Sequence, residues 1–122
     1  MDGTSRGAIE RSAQDGPHTI EVSADASWFR VDGGPAVDLS RRRALRDVLR
    51  ALIERHASAP GEPLTADILI AKSWPGERIR RESACNRLYV AICALRDRGL
   101  RAAIQRTPRG YVIARGVRVV RA

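Results

Sequence analysis

The sequence predicts a small α+β domain: a short antiparallel sheet near the N terminus, then three helices, then a C-terminal β-hairpin. Three observations predict it. Residues 18–39 hold short β-prone runs divided by turn residues. Residues 41–98 hold apolar residues at helical spacing, interrupted by two Pro/Gly breaks. Residues 102–115 hold two β-prone runs on either side of Thr107-Pro108-Arg109.

Residues 1–17 are polar, rich in Gly, Ser and charge, and without a hydrophobic period, so they are read as a disordered leader or linker. The folded domain is expected over residues 18–122. Thr19-Ile20-Glu21-Val22 and Trp28-Phe29-Arg30-Val31 read as strands. Asp32-Gly33-Gly34 supplies a turn between the second and a returning third strand at 36–39.

Ser40 is positioned as an N-cap for a first helix over residues 41–57. Leu45, Val48, Leu49, Leu52 and Ile53 follow the i, i+3, i+4, i+7, i+8 spacing of a helix buried along one stripe. Pro60-Gly61-Glu62-Pro63 ends it. Thr65 caps a second helix over 66–73, with Asp67 in the first turn where the helix dipole favours an anion. Ile68 and Leu69 are expected to pack inward, and Trp74-Pro75-Gly76 stops the helix. A third helix is expected over 83–98, with Leu88, Ile92 and Leu95 as its apolar seam and Gly99 just past its end. Asn86, Val90, Cys93 and Asp97 then point away from the core. The hairpin strands are placed at 102–106 and 110–115, with Ile104, Tyr111 and Ile113 on the inner face, and residues 117–120 add an edge strand.

Charge is unevenly spread over the 122 residues. The chain carries +8, yet residues 1–38 sum to −4 and residues 39–122 to +12. Basicity concentrated on a folded segment favours a polyanionic partner, although the near-absence of lysine, with Lys72 alone, also fits arginine-rich coding. No segment resembles a signal peptide, and no apolar run approaches the roughly 20 residues of a spanning helix. A soluble, cytoplasmic protein that engages no membrane is the expectation. Cys85 and Cys93 lie eight residues apart on one predicted helix, about 12 Å at 1.5 Å per residue. That is beyond the roughly 7 Å a disulfide spans, so free thiols in a reducing compartment are expected. Two sulfurs without a nearby histidine make no tetrahedral zinc site. His18 and His56 accompany no Ser or Cys nucleophile signature, and no glycine-rich phosphate loop occurs. Neither enzymatic activity nor a cofactor is expected.

The order of elements resembles the OmpR/PhoB-type effector domain of bacterial response regulators, a winged helix-turn-helix fold. The likeness covers about residues 18–115. It rests on Leu39-Ser40 before the first helix, on Leu64-Thr65 before a short helix ending at Trp74, and on Ile92-Cys93-Ala94-Leu95-Arg96 in the third helix. Ile104-Gln105 and Gly110-Tyr111-Val112 resemble the two sides of the wing. The chain departs from the family at Asp97, where a second basic residue is usual, in a wing about one residue shorter that carries Pro108, and in a sheet of three rather than four strands. The resemblance implies a transcription regulator that binds double-stranded DNA, as a standalone protein or part of a larger one, with paired binding as a homodimer and RNA polymerase or another regulatory protein as further partners.

In physical terms, the major groove admits one helix, whose N-terminal side chains reach base edges. Asn86 and Arg87 sit at that end and match adenine and guanine edges. Val90, Cys93 and Ala94 are small enough to let the helix sit deep. Tyr89 either reaches a phosphate through its hydroxyl or packs against the second helix. Arg98 flanks the same outer face. Arg106, Thr107 and Arg109 crown the hairpin, where arginine suits the backbone or the minor groove. Arg78, Arg80 and Arg81 precede the helix and are placed to hold phosphates. The competing reading is a winged-helix module that docks a protein, favoured by the outward Val90, Cys93 and Asp97.

Overall fold

The computed structural model describes residues 19–122. The expectation of a disordered leader at 1–17 and the position of His18 lie outside the described residues. Three helices pack between a four-stranded sheet and a two-stranded hairpin, giving a small α+β fold.

The strands β1 (Thr19–Val22), β2 (Trp28–Val31) and β3 (Val37–Asp38) pair antiparallel in sequence order. A fourth strand, β6 (Arg118–Arg121), lies parallel to β1 on its other side, with Ile20 opposite Val119. The sheet is therefore mixed and four-stranded, not the three-stranded antiparallel sheet expected. The reason is non-local. Strand β1 exposes a free edge once β2 has paired, and the chain returns to it only after the hairpin. Ala122 N–H donates to Val22 O at 2.8 Å and closes that edge. His56 bonds Val117 O through Nε2 at 2.6 Å, which fixes the chain just before β6.

Helix α1 (Arg43–Ser58) buries Leu45, Val48, Leu49, Leu52 and Ile53, the stripe its period requires. Each such side chain contributes roughly 1.5–3 kcal/mol by leaving water. Ser40 does not cap it. The helix starts two residues later, because Asp38 Oδ1 accepts from Ser40 N–H at 2.8 Å and Arg42 N–H turns back to Leu39 O at 2.9 Å. Those two bonds consume residues 40–42 in a turn. Helix α2 (Ala66–Ser73) begins at Thr65, whose Oγ1 accepts from Ile68 N–H at 3.2 Å. Leu69 is fully buried, but Ile68 is 40% exposed, against expectation. With eight residues the helix has one buried face, and Ile68 lies off it.

Helix α3 (Arg81–Leu95) buries Ala84, Leu88, Ala91, Ile92 and Leu95. It starts two residues earlier than expected and passes into one wide turn, Arg96–Leu100. Gly99 ends that turn at φ 116°, a conformation glycine adopts without strain. Strands β4 (Ile104–Thr107) and β5 (Gly110–Ile113) form the hairpin, with Ile104 opposite Ile113 and Arg106 opposite Tyr111. The loop is shorter than expected. Thr107 pairs with Gly110, leaving only Pro108 and Arg109 between the strands. Phe29 is buried at the centre of the core, while Trp28 and Trp74 are half-buried at its margin. The Arg30 guanidinium lies 5.2 Å above the Trp28 ring. Among the described residues, no helix is long and apolar enough to cross a membrane.

Candidate nucleic-acid interface

Burying one side of α3 leaves its opposite side as a ridge, and Asn86, Tyr89 and Val90 stand on it, exposed. Tyr89 and Val90 are 55% and 56% exposed, unusual for large apolar-bodied residues. The ridge has a groove on each side. Toward α1 and the end of α2 lies a shallow apolar groove of about 230 Å³, lined by Leu45, Trp74, Val90 and Ala91, with Asn86 and Arg87 at its rim. Toward the hairpin lie two adjoining clefts of about 300 and 410 Å³. Both are bordered by Tyr89, Arg106 and Tyr111. The first reaches Cys85 and the Pro108-Arg109 tip, the second Cys93, Arg96, Asp97 and Arg101.

The hairpin is held beside α3 by backbone bonds. Leu64 N–H donates to Tyr111 O at 2.8 Å, and Tyr111 N–H donates to Leu64 O at 2.9 Å. This single bridge adds the segment before α2 to the hairpin as a third partner. Ala114 N–H donates to Ala103 O at the open end. These bonds fix the hairpin wall of the cleft to the segment before α2 and to the turn after α3.

Four arginines of this surface rest on carboxylates. Arg87 Nη1 donates to Glu77 at 3.1 Å, and Arg109 Nη2 donates to Glu62 at 3.3 Å. Arg81 pairs with Asp67, and Arg101 with Asp97. The bond from Arg81, aided by the charge of Asp67, pushes the already high pKa of that guanidinium further up. All four pairs are solvent-exposed, so each contributes little to stability and exchanges readily. Arg78, Arg80 and Arg106 are exposed and have no carboxylate partner among the described residues.

Several expected site residues are placed differently. Arg98 turns back on its own helix, donating to Ala94 O at 3.1 Å, which satisfies a carbonyl at the helix end. Ala94 is half-buried beside it. Thr107 Oγ1 is occupied within the turn, accepting from Arg109 N–H and donating to Gly110 O, both at 3.1 Å. Tyr89 is largely exposed and borders the hairpin cleft, whose far wall includes Ala66 at the start of α2. A hydrogen bond with Cys93 raises its phenol pKa above the usual value, with the Cys93 charge and slight burial adding to it, while Arg106 pulls it back. The hydroxyl is therefore protonated near neutral pH. Cys93 is half-buried in that cleft instead of pointing outward, and Cys85 and Cys93 are both free thiols.

Sequence reasoning missed the carboxylates. Glu62 and Arg109 are 47 positions apart, so no local pattern links them. Asp97 and Arg101 are four apart, a helical spacing that was legible. Among the described residues, no three His, Cys, Asp or Glu side chains gather where they would hold a metal ion. No protein-family model matches the chain, and no curated protein matches it.

Proposed function

We propose that this chain is a double-stranded DNA-binding domain of the winged helix-turn-helix kind, acting in the cytoplasm as part of transcription regulation and in a binding role rather than a catalytic one. In this reading α3 is the recognition helix and the β4–β5 hairpin is the wing. One observation carries it: the cleft between α3 and the hairpin, walled by Arg106, Arg96, Arg101 and Tyr89, opens beside an exposed helix ridge bearing Asn86, Arg87 and Val90.

A duplex backbone suits that cleft, since Arg106 offers a positive charge with no carboxylate partner among the described residues and Tyr89 offers a hydroxyl donor. The ridge then faces the major groove, where Asn86 matches an adenine edge, Arg87 a guanine edge and Val90 a thymine methyl. Arg80 and Arg81, at the start of α3, reach flanking phosphates, and Arg109 reaches backbone or minor groove from the wing tip. The OmpR/PhoB resemblance agrees with this assignment of elements, and it brings a second copy on DNA and RNA polymerase or another regulatory protein as further partners.

The test is selection from random duplex DNA followed by salt titration of the selected site. With about six phosphates neutralised, the log–log slope is near −5. Arg87→Ala relaxes preference at one base position, whereas Arg109→Ala weakens all sequences alike. A flat salt response with no selected site overturns the proposal.

The apolar groove beside Val90 favours a second reading, in which the same surface docks a protein. Capture of a stoichiometric partner that survives nuclease and high salt, with no DNA preference, selects that reading.

A further inference from the structure

We infer that Glu77 is a specificity-determining residue of the proposed DNA surface and Glu62 one that lowers its affinity for all sequences, each holding one arginine in an internal ion pair that nucleic acid must displace. The inference rests on the DNA-binding reading above. Glu77 lies in the loop before α3 and accepts from Arg87 at 3.1 Å. Glu62 lies in the loop before α2 and accepts from Arg109 at 3.3 Å across the hairpin tip.

Neither carboxylate is placed by a free loop. Glu77 N–H bonds Trp74 O at 3.3 Å, which ties the loop to the end of α2. The Glu62 loop is fixed against the hairpin by the Leu64–Tyr111 bridge and by Arg115, which donates to Pro60 O at 3.2 Å. Glu62 N–H also closes a turn onto Ala59 O at 3.0 Å. Both acids therefore stand where the arginines work, Glu77 held by a local turn and the Glu62 loop also by contacts to the hairpin and to Arg115.

The two pairs act differently because their arginines meet different parts of DNA. For Arg87, an approaching phosphate offers one anion in exchange for another, a nearly even trade that leaves the side chain on Glu77. A guanine edge offers two acceptors in the planar spacing of the guanidinium, which a carboxylate in solvent does not outbid. Glu77 thus suppresses the contact on wrong sequences and yields on the right one. Arg109 meets only backbone, so Glu62 lowers affinity for every sequence to a similar degree. Both carboxylates also repel phosphates lying within the Debye length, about 10 Å at 0.1 M salt.

The test uses the full chain with Glu62→Gln, Glu77→Gln and, as a control for net charge, Glu54→Gln. Glu54 is exposed on α1 and has no arginine partner among the described residues. Affinities are measured for the selected site and for a random duplex of equal length. Glu77→Gln is expected to raise affinity for the random duplex about threefold, the worth of an exposed ion pair, while the selected site moves less, so the specificity ratio falls. Its salt slope on random duplex steepens by about one as Arg87 joins the phosphate contacts. Glu62→Gln is expected to raise both affinities about threefold and leave the ratio unchanged. If both variants match Glu54→Gln while the unaltered chain binds DNA, the inference is overturned and the DNA reading stands. If the unaltered chain binds no duplex, both fall together.

Discussion

The carbonyl oxygen of Leu64 occupies the space that a side chain on residue 110 would need. A Cβ built on Gly110 would come 2.0 Å from Leu64 O, and the backbone there has φ 140°. The missing side chain is what lets Leu64 come close enough to bond Tyr111 on the hairpin, and position 110 is a glycine for two independent reasons, the close approach and the positive φ.

Gly110→Ala is therefore expected to cost at least ~2 kcal/mol, from the steric clash and the positive φ together. Denaturant unfolding measures it. Hydrogen exchange should show Tyr111 and Leu64 amides losing protection before those of α1. An unchanged midpoint would contradict the close approach.

The two sides of α3 should respond in opposite ways to truncation. Leu88→Ala or Ile92→Ala opens a cavity in the core and is expected to cost ~2–5 kcal/mol. Val90→Ser, on the exposed ridge, is expected to change stability by less than ~0.5 kcal/mol while altering which duplex is selected. Comparable losses of stability for Val90 and Ile92 would show that the ridge is misassigned.

Arg106 should matter more than Arg109 for DNA. Among the described residues Arg106 has no carboxylate to leave, whereas Arg109 must give up Glu62. Arg106→Ala is expected to lower affinity for all sequences by about tenfold at low salt and to reduce the salt slope by about one. Arg109→Ala should have a smaller effect in the same direction. Fluorescence anisotropy over a salt series compares them, and a larger loss for Arg109 would contradict the ordering.

Acid should loosen the sheet through Asp25. Its carboxyl accepts from the Ser27 side chain and backbone N–H and from Ser23, and these bonds lower its pKa from 3.8 to about 2. A carboxylate with a depressed folded pKa stabilises fully above its unfolded value, and that contribution disappears as pH falls through the folded value. Thermal unfolding at pH 4 and pH 2 should show a smaller drop for Asp25→Asn than for the unaltered chain. Equal drops would remove Asp25 as a source of the acid sensitivity. Asp38, lowered by Ser40, contributes in the same window and remains in both proteins.

The elements themselves were legible because each is written in local chemistry. The α1 stripe repeats at the helical period, Thr65 caps α2 within three residues, and Gly99 permits the turn that ends α3. The boundaries of α1 were not, since Asp38 competed with Ser40 for the turn before it. The candidate ridge at Asn86, Arg87 and Val90 followed from the seam opposite, because burying Leu88, Ile92 and Leu95 leaves only one side free.

What the sequence determined by itself, then, was the α+β content, the buried face of each long helix and the concentration of positive charge after residue 38. These depend on spacing along the chain and on charge, which is additive. Tertiary structure alone decided that β6 completes the N-terminal sheet beside β1, that Leu64 fastens the hairpin, and that Glu62 and Glu77 come to rest on Arg109 and Arg87. Those contacts join positions ten to about a hundred residues apart. Such pairings form only where backbone edges and opposite charges are brought together by the packed core, so no periodicity in the sequence announces them.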